Sequence, residues 1–373
     1  MRNFSAIKEH ASALHAAALG GHLEIVQLLV DKGADINASH GIVSGSALHA
    51  AAMEGHLDII SLLLEYGANI HAEKEEYGSA LEAAAAYGHE WLVRELLERG
   101  VDVNERGGQY RTALQAAYHL SNSEQAQDMA KLLLDHGADV HVKGGMFGSP
   151  LNVAAANLRL PNSSIQQLLD LGVDINDCEV INGKTALQAT LENFTDDTEP
   201  TKLIERLQFL FERGADANVG AELFGFALHS AVMANHESVR VPLYRNVGLE
   251  FLLDNYPDIN VNAEGGKYGS ALQAAAYAGQ PESVKLLIQK GAKVNAQGGG
   301  YRNALNAATI WGFWDIVTIL LDNGAEPDCY RSEKPDEEWL CRMVEKCGRG
   351  ARERYKRVWE MKNPKLDVAD RGL

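Results

Sequence analysis

The sequence predicts an all-α solenoid of about nine helix-turn-helix repeats. A leucine in a recurring Ser/Thr-Ala-Leu context returns after 33 to 44 residues, most often after 33. In the regular repeats a Gly-Ala or Gly-Val step follows 19 residues after that leucine. A period near 33 residues is typical of stacked repeats, each of which leaves an apolar face for its neighbour to cover. The recurring leucines are Leu14, Leu48, Leu81, Leu114, Leu151, Leu187, Leu228, Leu272 and Leu305.

Each repeat begins with a short, alanine-rich helix. Ser12 and Ser270 stand two residues before the repeat leucine, where a hydroxyl accepts a hydrogen bond from an unpaired helical N–H. The alanines that follow let neighbouring helices approach closely. A second helix follows about ten residues later, with an apolar stripe such as Ile316, Val317 and Leu320. We expect it to end at a glycine, which adopts the left-handed conformation without a Cβ clash.

Repeats 4 to 7 are longer than the others. Their extra residues fall between the two helices of each repeat, and we predict that they form surface loops because they are rich in Asn, Ser, Asp and Pro. The insertions are residues 121–128, 158–164, 193–201 and 237–248.

The repeat pattern divides the chain into two regions. Residues 1–328 form the repeat solenoid, and residues 329–373 are predicted to form capping helices and a basic tail. Residues 334–347 indicate one helix, and a basic helix follows up to about Lys362. Terminal repeats need a cover with a polar outer face, which these helices would supply.

Charge and composition restrict the class of partner. The formal net charge is −17, and residues 341–365 carry nine Lys/Arg against three Glu, so the rest of the chain carries −23. This charge disfavours nucleic acid and anionic lipid as partners. Four cysteines without a CxxC pair, and no run of eighteen apolar residues, favour a reducing compartment and no membrane span. We expect a cytoplasmic protein, with the nucleus as the alternative compartment.

Two short segments look like chemical motifs and lack a required residue. Residues 182–185 end like a phosphate-binding loop, but Cys178 stands where that loop needs glycine. His236 and Glu237 resemble the start of a helical zinc site, but Arg240 replaces its second histidine. We therefore predict no catalytic residue, metal or cofactor. An enzyme or small-molecule-binding protein with a pocket formed by repeats 4 to 7 remains the alternative.

The repeat cycle resembles the ankyrin repeat, whose first helix commonly starts with Thr-Pro-Leu-His. The resemblance covers roughly residues 5–328; Ala replaces the family's Pro except at Pro150, and the His is kept in three repeats. The form Gly-Gly-x-Tyr-Gly-x-Ala-Leu-Gln-Ala-Ala at 265–275 is similar to arrays common in fungal proteins. The resemblance implies an ankyrin-repeat solenoid with short β-hairpin fingers and a non-catalytic scaffold function.

The same resemblance implies where a partner protein binds, namely on the concave face of the first helices and on the fingers. Aromatic side chains suit such contacts because they give a large area at a low entropy cost. Finger aromatics that stack from repeat to repeat and stiffen the array are the other interpretation. Because the repeats are acidic, we expect a basic partner. The predicted contact residues are Met53, Glu54, Tyr77, Tyr87, Tyr110, His119, Phe147, Phe224, Tyr268, Tyr277, Tyr301 and Trp311.

Overall fold

The computed structural model shows two compact units, Met1–Ile181 (unit 1) and Asn182–Leu373 (unit 2). The described part of the chain contains nineteen helices, and its β-structure is limited to isolated bridges. The prediction of an all-α fold is therefore confirmed. The structure describes residues 12–38, 45–70, 78–145, 148–178, 184–194, 199–220, 225–237, 246–326 and 350–362.

Unit 1 contains five helix pairs. The first helices of the pairs contact one another in series, from α1 to α3, α5, α7 and α9. Each first helix also packs against the second helix of its own pair. The helices are α1 (Ala13–Leu19), α2 (Leu23–Asp31), α3 (Ala47–Glu54), α4 (Leu57–Glu65), α5 (Ala80–Ala86), α6 (Glu90–Glu98), α7 (Ala113–Tyr118), α8 (Ser123–Asp135), α9 (Pro150–Ala156) and α10 (Asn162–Asp170).

The described residues of unit 2 form four helix pairs and one further helix. Its first helices also form a series, from α11 to α13, α15 and α17, and the last helix, α19, packs on α17. The helices are α11 (Ala186–Glu192), α12 (Pro200–Glu212), α13 (Ala227–Glu237), α14 (Val247–Asn255), α15 (Ala271–Tyr277), α16 (Pro281–Gln289), α17 (Ala304–Trp311), α18 (Trp314–Asp322) and α19 (Gly350–Lys362).

The core of both units lies between the helix layers. The repeat leucines are buried, and so are most alanines of the first helices, as the small-residue pattern predicts. Ser46 and Ser270 each accept a hydrogen bond from the backbone N–H three residues later, which confirms the predicted helix starts. Second helices end before glycines with positive φ, such as Gly100 at 84°. No atom lies within 4 Å of a Cβ built at Gly100, so the backbone conformation alone requires the glycine.

Asparagines in the turns after the second helices join neighbouring repeats. Asn262 donates from Nδ2 to the carbonyl of Gly291 (3.1 Å) and accepts at Oδ1 from the N–H of Lys293 (2.7 Å). Asn104 makes the same pair of bonds to Gly137 and Asp139. Each amide therefore bonds to backbone groups that a helix end leaves unpaired, and it fixes the distance between successive repeats.

The insertion in repeat 4 forms helix rather than loop. Helix α8 has 13 residues, four more than α6, and begins at Ser123. Asn122 caps it by accepting a hydrogen bond from the N–H of Gln125. The predicted surface loop is wrong here, because a good cap and helix-forming residues start the second helix early.

The other insertions differ from one repeat to the next. In repeat 5, Leu158 and Leu160 are buried, so this loop is anchored in the core. In repeat 6 part of the insertion belongs to α12, which begins at Pro200. Residues 195–198 and 238–245, which complete the insertions of repeats 6 and 7, lie outside the described residues.

Helix α19 covers the end of repeat 9. Arg354 donates from Nε to the carbonyls of Thr309 (3.2 Å) and Ile310 (3.0 Å), which are in the last turn of α17. Tyr355 and Val358 are buried beside it. Arg354 thus donates to carbonyls in the last turn of α17, and of these the Thr309 carbonyl also accepts from the N–H of Gly312. The predicted helix at 334–347 and the predicted boundary at 328 lie outside the described residues.

Among the described helices, none has the length and apolar character needed to cross a bilayer.

Candidate functional site

Finger turns precede the first helices and present aromatic side chains. Three of them are closed by a single antiparallel bridge, and these bridges join Gly107 to Arg111, Gly265 to Gly269 and Gly298 to Arg302. Within the bridged turns lie the predicted contact residues Tyr110, Tyr268 and Tyr301. These three fingers are thus tight turns rather than hairpins with extended strands.

In five repeats, the polar residue after the repeat leucine holds the next finger in place. Gln273 donates from Nε2 to the carbonyls of Arg302 (2.7 Å) and Gly298 (3.1 Å). Gln115 donates in the same way to the carbonyl of Gly144 (3.0 Å). These bonds cross from one repeat to the next and are buried or partly buried, so they fix the fingers before any partner arrives. Equivalent bonds are made by Gln188 and His229.

Glu82 occupies this polar position in repeat 3 and is 2% exposed. Its Oε1 accepts a hydrogen bond from the N–H of Tyr110 (3.1 Å), whereas the buried Oε2 has no hydrogen-bond partner among the described residues. Burial raises the pKa of Glu82 to about 8, against the smaller lowering effects of the Tyr110 N–H and of the Arg111 charge. The carboxyl is therefore mostly protonated at neutral pH. The sequence alone could have indicated this buried carboxyl, because Glu82 stands at a repeat position where the other repeats carry Gln, His or Asn.

Four predicted contact residues meet on repeats 8 and 9, and we call them the unit 2 aromatic patch: Tyr268, Tyr277, Tyr301 and Trp311. Tyr277 is the centre of the patch. Its ring centroid lies 4.5 Å from that of Tyr268, 5.3 Å from that of Tyr301 and 5.6 Å from that of Trp311. The Trp311 ring stands nearly perpendicular to Tyr277, at 87°, which is a favoured edge-to-face arrangement.

The unit 2 aromatic patch is rigid and yet accessible. The indole N–H of Trp311 donates to the hydroxyl of Tyr301 (3.2 Å), which fixes both rings. Trp311 is 42% exposed, and the three tyrosines are half-buried. Lys267, which is exposed, places its Nζ 5.2 Å from the centre of the Tyr268 ring. Because the rings pack against one another, the patch presents ring edges and one exposed indole rather than an open cage.

A smaller group lies on repeats 3 and 4, and we call it the unit 1 aromatic patch: Tyr87, Tyr110 and His119. The rings of Tyr110 and His119 are 5.1 Å apart and tilted. Burial raises the pKa of Tyr110 against the lowering effect of a hydrogen bond with Gln109, and Tyr87 and Glu82 add smaller raising effects. Partial burial also lowers the pKa of His119. Tyr87 and His119 are exposed.

The remaining predicted contact residues are not brought into either patch. Met53 is half-buried, and its carbonyl accepts a hydrogen bond from His89 Nε2 (2.9 Å), while Glu54 is exposed. Tyr77, Phe147 and Phe224 lie outside the described residues.

A groove of about 650 Å³ lies between α8 and α10 in unit 1. Of its lining residues, Ser163 alone belongs to an insertion, and the walls are mainly second helices and the turn after α8. Within the described ranges, no three His, Cys, Asp or Glu residues are placed to hold a metal ion. The groove is lined by Leu134, Asp135, Ala138, Val140, Ser163, Gln166, Gln167, Asp170 and Leu171.

Comparison with family models identifies the repeats. The model described as ankyrin repeats in three copies matches residues 14–107, 199–298 and 243–331, and the single ankyrin repeat model matches 109–145. Together these matches cover more than half of the 373 residues. The chain belongs to the ankyrin-repeat family. A search of curated proteins finds no match to it.

Helix starts of the same kind are present in the described residues 148–178 and 184–194, which no family model matches. Helix α9 starts with a Ser149 cap and has Pro150 in its first turn. Helix α11 starts with a capping box in which Thr185 and Gln188 exchange hydrogen bonds. These helix starts have the same construction as those of the matched ankyrin repeats.

Proposed function

We propose that this ankyrin-repeat chain is a non-catalytic scaffold that binds another protein through its fingers and the adjoining ends of its first helices. Ankyrin repeats are generally protein–protein interaction modules. The observation that carries the proposal is the unit 2 aromatic patch, where four large rings converge on the finger side and Trp311 stays 42% exposed. Tryptophan and tyrosine dominate the binding energy of many protein interfaces.

Rigidity of the patch supports a binding role. The Trp311 to Tyr301 hydrogen bond and the Gln273 bonds to the same finger hold the rings in one arrangement. A partner therefore does not have to order these side chains on binding, which lowers the entropic cost of association. Stacking of the finger aromatics and partner contact are thus compatible roles of the same rings.

The chain offers a matched control for this surface. Trp91, on the second helix α6, is 43% exposed, which is nearly the same as Trp311. Affinity capture from the source cells, quantified by mass spectrometry, should compare the unchanged protein with Trp311→Ala and Trp91→Ala. We expect proteins that are captured by the unchanged chain and by Trp91→Ala and are lost with Trp311→Ala. Equal capture by both variants, with unchanged circular dichroism, would contradict the proposed surface.

A further inference from the structure

Charge in unit 2 is distributed differently from the charge of the chain as a whole. The full chain has a net charge of −17, yet residues 262–326 contain five acidic and five basic side chains. Helix α19, which packs on α17, contains five basic and two acidic residues. The repeats that carry the unit 2 aromatic patch are therefore neutral, and the helix that covers them is basic.

Basic side chains also flank the patch itself. In the finger and first-helix segments 262–278 and 295–311, the charged residues are Glu264, Lys267 and Arg302. Lys267 lies over the Tyr268 ring, and Arg302 follows Tyr301 directly. On the far side, Arg354 of α19 binds the carbonyl of Ile310, the residue before Trp311. Lys267 is therefore the exposed cation that lies over a ring of the patch, and Glu264 is the one acidic residue in the two segments.

Local charges decide which partner this surface favours. At physiological ionic strength the Debye length is about 8 Å, so distant acidic repeats are largely screened at the patch. Complementary charges close to an interface set specificity and association rate, while buried aromatic contacts supply most of the affinity. The sign of the net charge is thus a poor guide to the sign of the partner.

We propose that the unit 2 aromatic patch binds an acidic peptide segment of a partner protein, in which an apolar anchor contacts Trp311 and Tyr277 and a neighbouring carboxylate pairs with Lys267. The proposal rests on the proposed protein-binding function, and it reverses the basic partner expected from net charge alone. A peptide fits better than single-stranded nucleic acid, because the rings of Tyr268, Tyr277 and Tyr301 pack against one another and are not open platforms on which successive bases could stack.

A displayed library of random dodecapeptides tests the chemistry without knowledge of the partner. The full chain is used as bait in four forms: unchanged, Lys267→Glu, Lys285→Glu and Trp311→Ala. Lys285 is an exposed lysine of α16 and is the matched control for charge reversal. We expect peptides selected by the unchanged chain to combine an apolar or aromatic residue with nearby Asp or Glu. Lys267→Glu should remove the acidic preference, and Lys285→Glu should keep it.

A synthetic peptide with the selected sequence then gives the affinities by fluorescence anisotropy. Binding should weaken by about threefold to tenfold in Lys267→Glu, and more strongly in Trp311→Ala. A selected sequence rich in Lys or Arg, or one unchanged by Lys267→Glu, would overturn the acidic assignment. Displacement of the peptide by a tighter-binding oligo-dT of twelve nucleotides would overturn the peptide assignment. If no peptide is enriched over the Trp311→Ala bait, the proposed binding function of this patch fails as well.

Discussion

The backbone N–H of Tyr110 donates a hydrogen bond of 3.1 Å to Oε1 of Glu82, a buried carboxyl in the preceding repeat. Through this bond, helix α5 holds the finger that leads into α7. Gln115 and Gln273 occupy the same position in their own repeats, and they donate from amide N–H groups to carbonyls of the next finger. A carboxylate has no N–H to donate, so Glu82 makes this joint between repeats sensitive to protonation.

The pH dependence of unfolding should reveal Glu82. Its pKa is about 8 in the folded protein, above the value of 4.5 for a carboxyl in water. Between these values the folded state holds a proton that the unfolded state releases, so its stabilising contribution is complete below about pH 4.5 and is lost as pH rises to about 8. Glu82→Gln removes this pH-dependent contribution, because an amide does not titrate. We expect the variant to gain stability over the unchanged chain as pH rises, by roughly 3 to 5 kcal/mol at pH 8 and above.

Denaturant unfolding at a series of pH values measures the effect of Glu82→Gln. Glu98→Gln, at an exposed position of α6, is the control and should give a nearly constant difference from the unchanged chain. If the free energy of unfolding of Glu82→Gln also differs from that of the unchanged chain by the same amount from pH 5 to pH 9, Glu82 is ionised in the folded state.

Asn262 tests the bonds between repeats. Asn262→Ala removes the hydrogen bonds to Gly291 and Lys293 and leaves two backbone groups without a protein partner. We expect a loss of about 1 to 2 kcal/mol in the free energy of unfolding, because both groups remain accessible to water. Gln289→Ala, at the exposed end of α16, should change stability by no more than about 0.5 kcal/mol. Equal effects of the two substitutions would show that the asparagine does not join the repeats.

Arg354 tests how α19 is attached. Arg354→Met keeps much of the aliphatic volume and removes the charged hydrogen bonds to the carbonyls of Thr309 and Ile310. We expect a loss of about 1.5 to 3 kcal/mol in stability. Arg357→Met is the comparison, since Arg357 is exposed and its guanidinium lies 4.9 Å from the Trp314 ring centre. We expect Arg357→Met to lower the free energy of unfolding by only about 0.5 to 1 kcal/mol. Thermal unfolding in which Arg357→Met is the more damaging variant would contradict this role of Arg354.

The repeat framework could be predicted from the sequence because its signals are local and recur. Ser46 and Ser270 stand at caps, and Gly100 has the positive φ that its position after a helix requires. The early start of α8 was also encoded, since Asn122 is followed three residues later by Gln125. The spacing from leucine to glycine does not reveal it, because a count of extra residues does not distinguish helix from loop.

The contacts of the candidate site could be predicted only in part. Position within the repeat selected Tyr277 and Trp311, and the structure brings them together with two finger tyrosines. The perpendicular ring geometry and the bond from Trp311 to Tyr301 depend on how two repeats stack, which no single repeat encodes. The position of Lys267 beside the patch was hidden by the net charge, because a sum over the chain contains no information on where the charges lie.

Site-specific photo-crosslinking in the source cells tests the central claim, protein binding at the unit 2 aromatic patch, most directly. A benzoylphenylalanine placed at Tyr268 keeps an aromatic group beside Tyr277, and the same residue placed at Trp91 reports on a second helix in unit 1. The account predicts that light produces a covalent adduct with another protein from position 268 and none from position 91. An adduct from position 91 alone, or equal adducts from both positions, would contradict it.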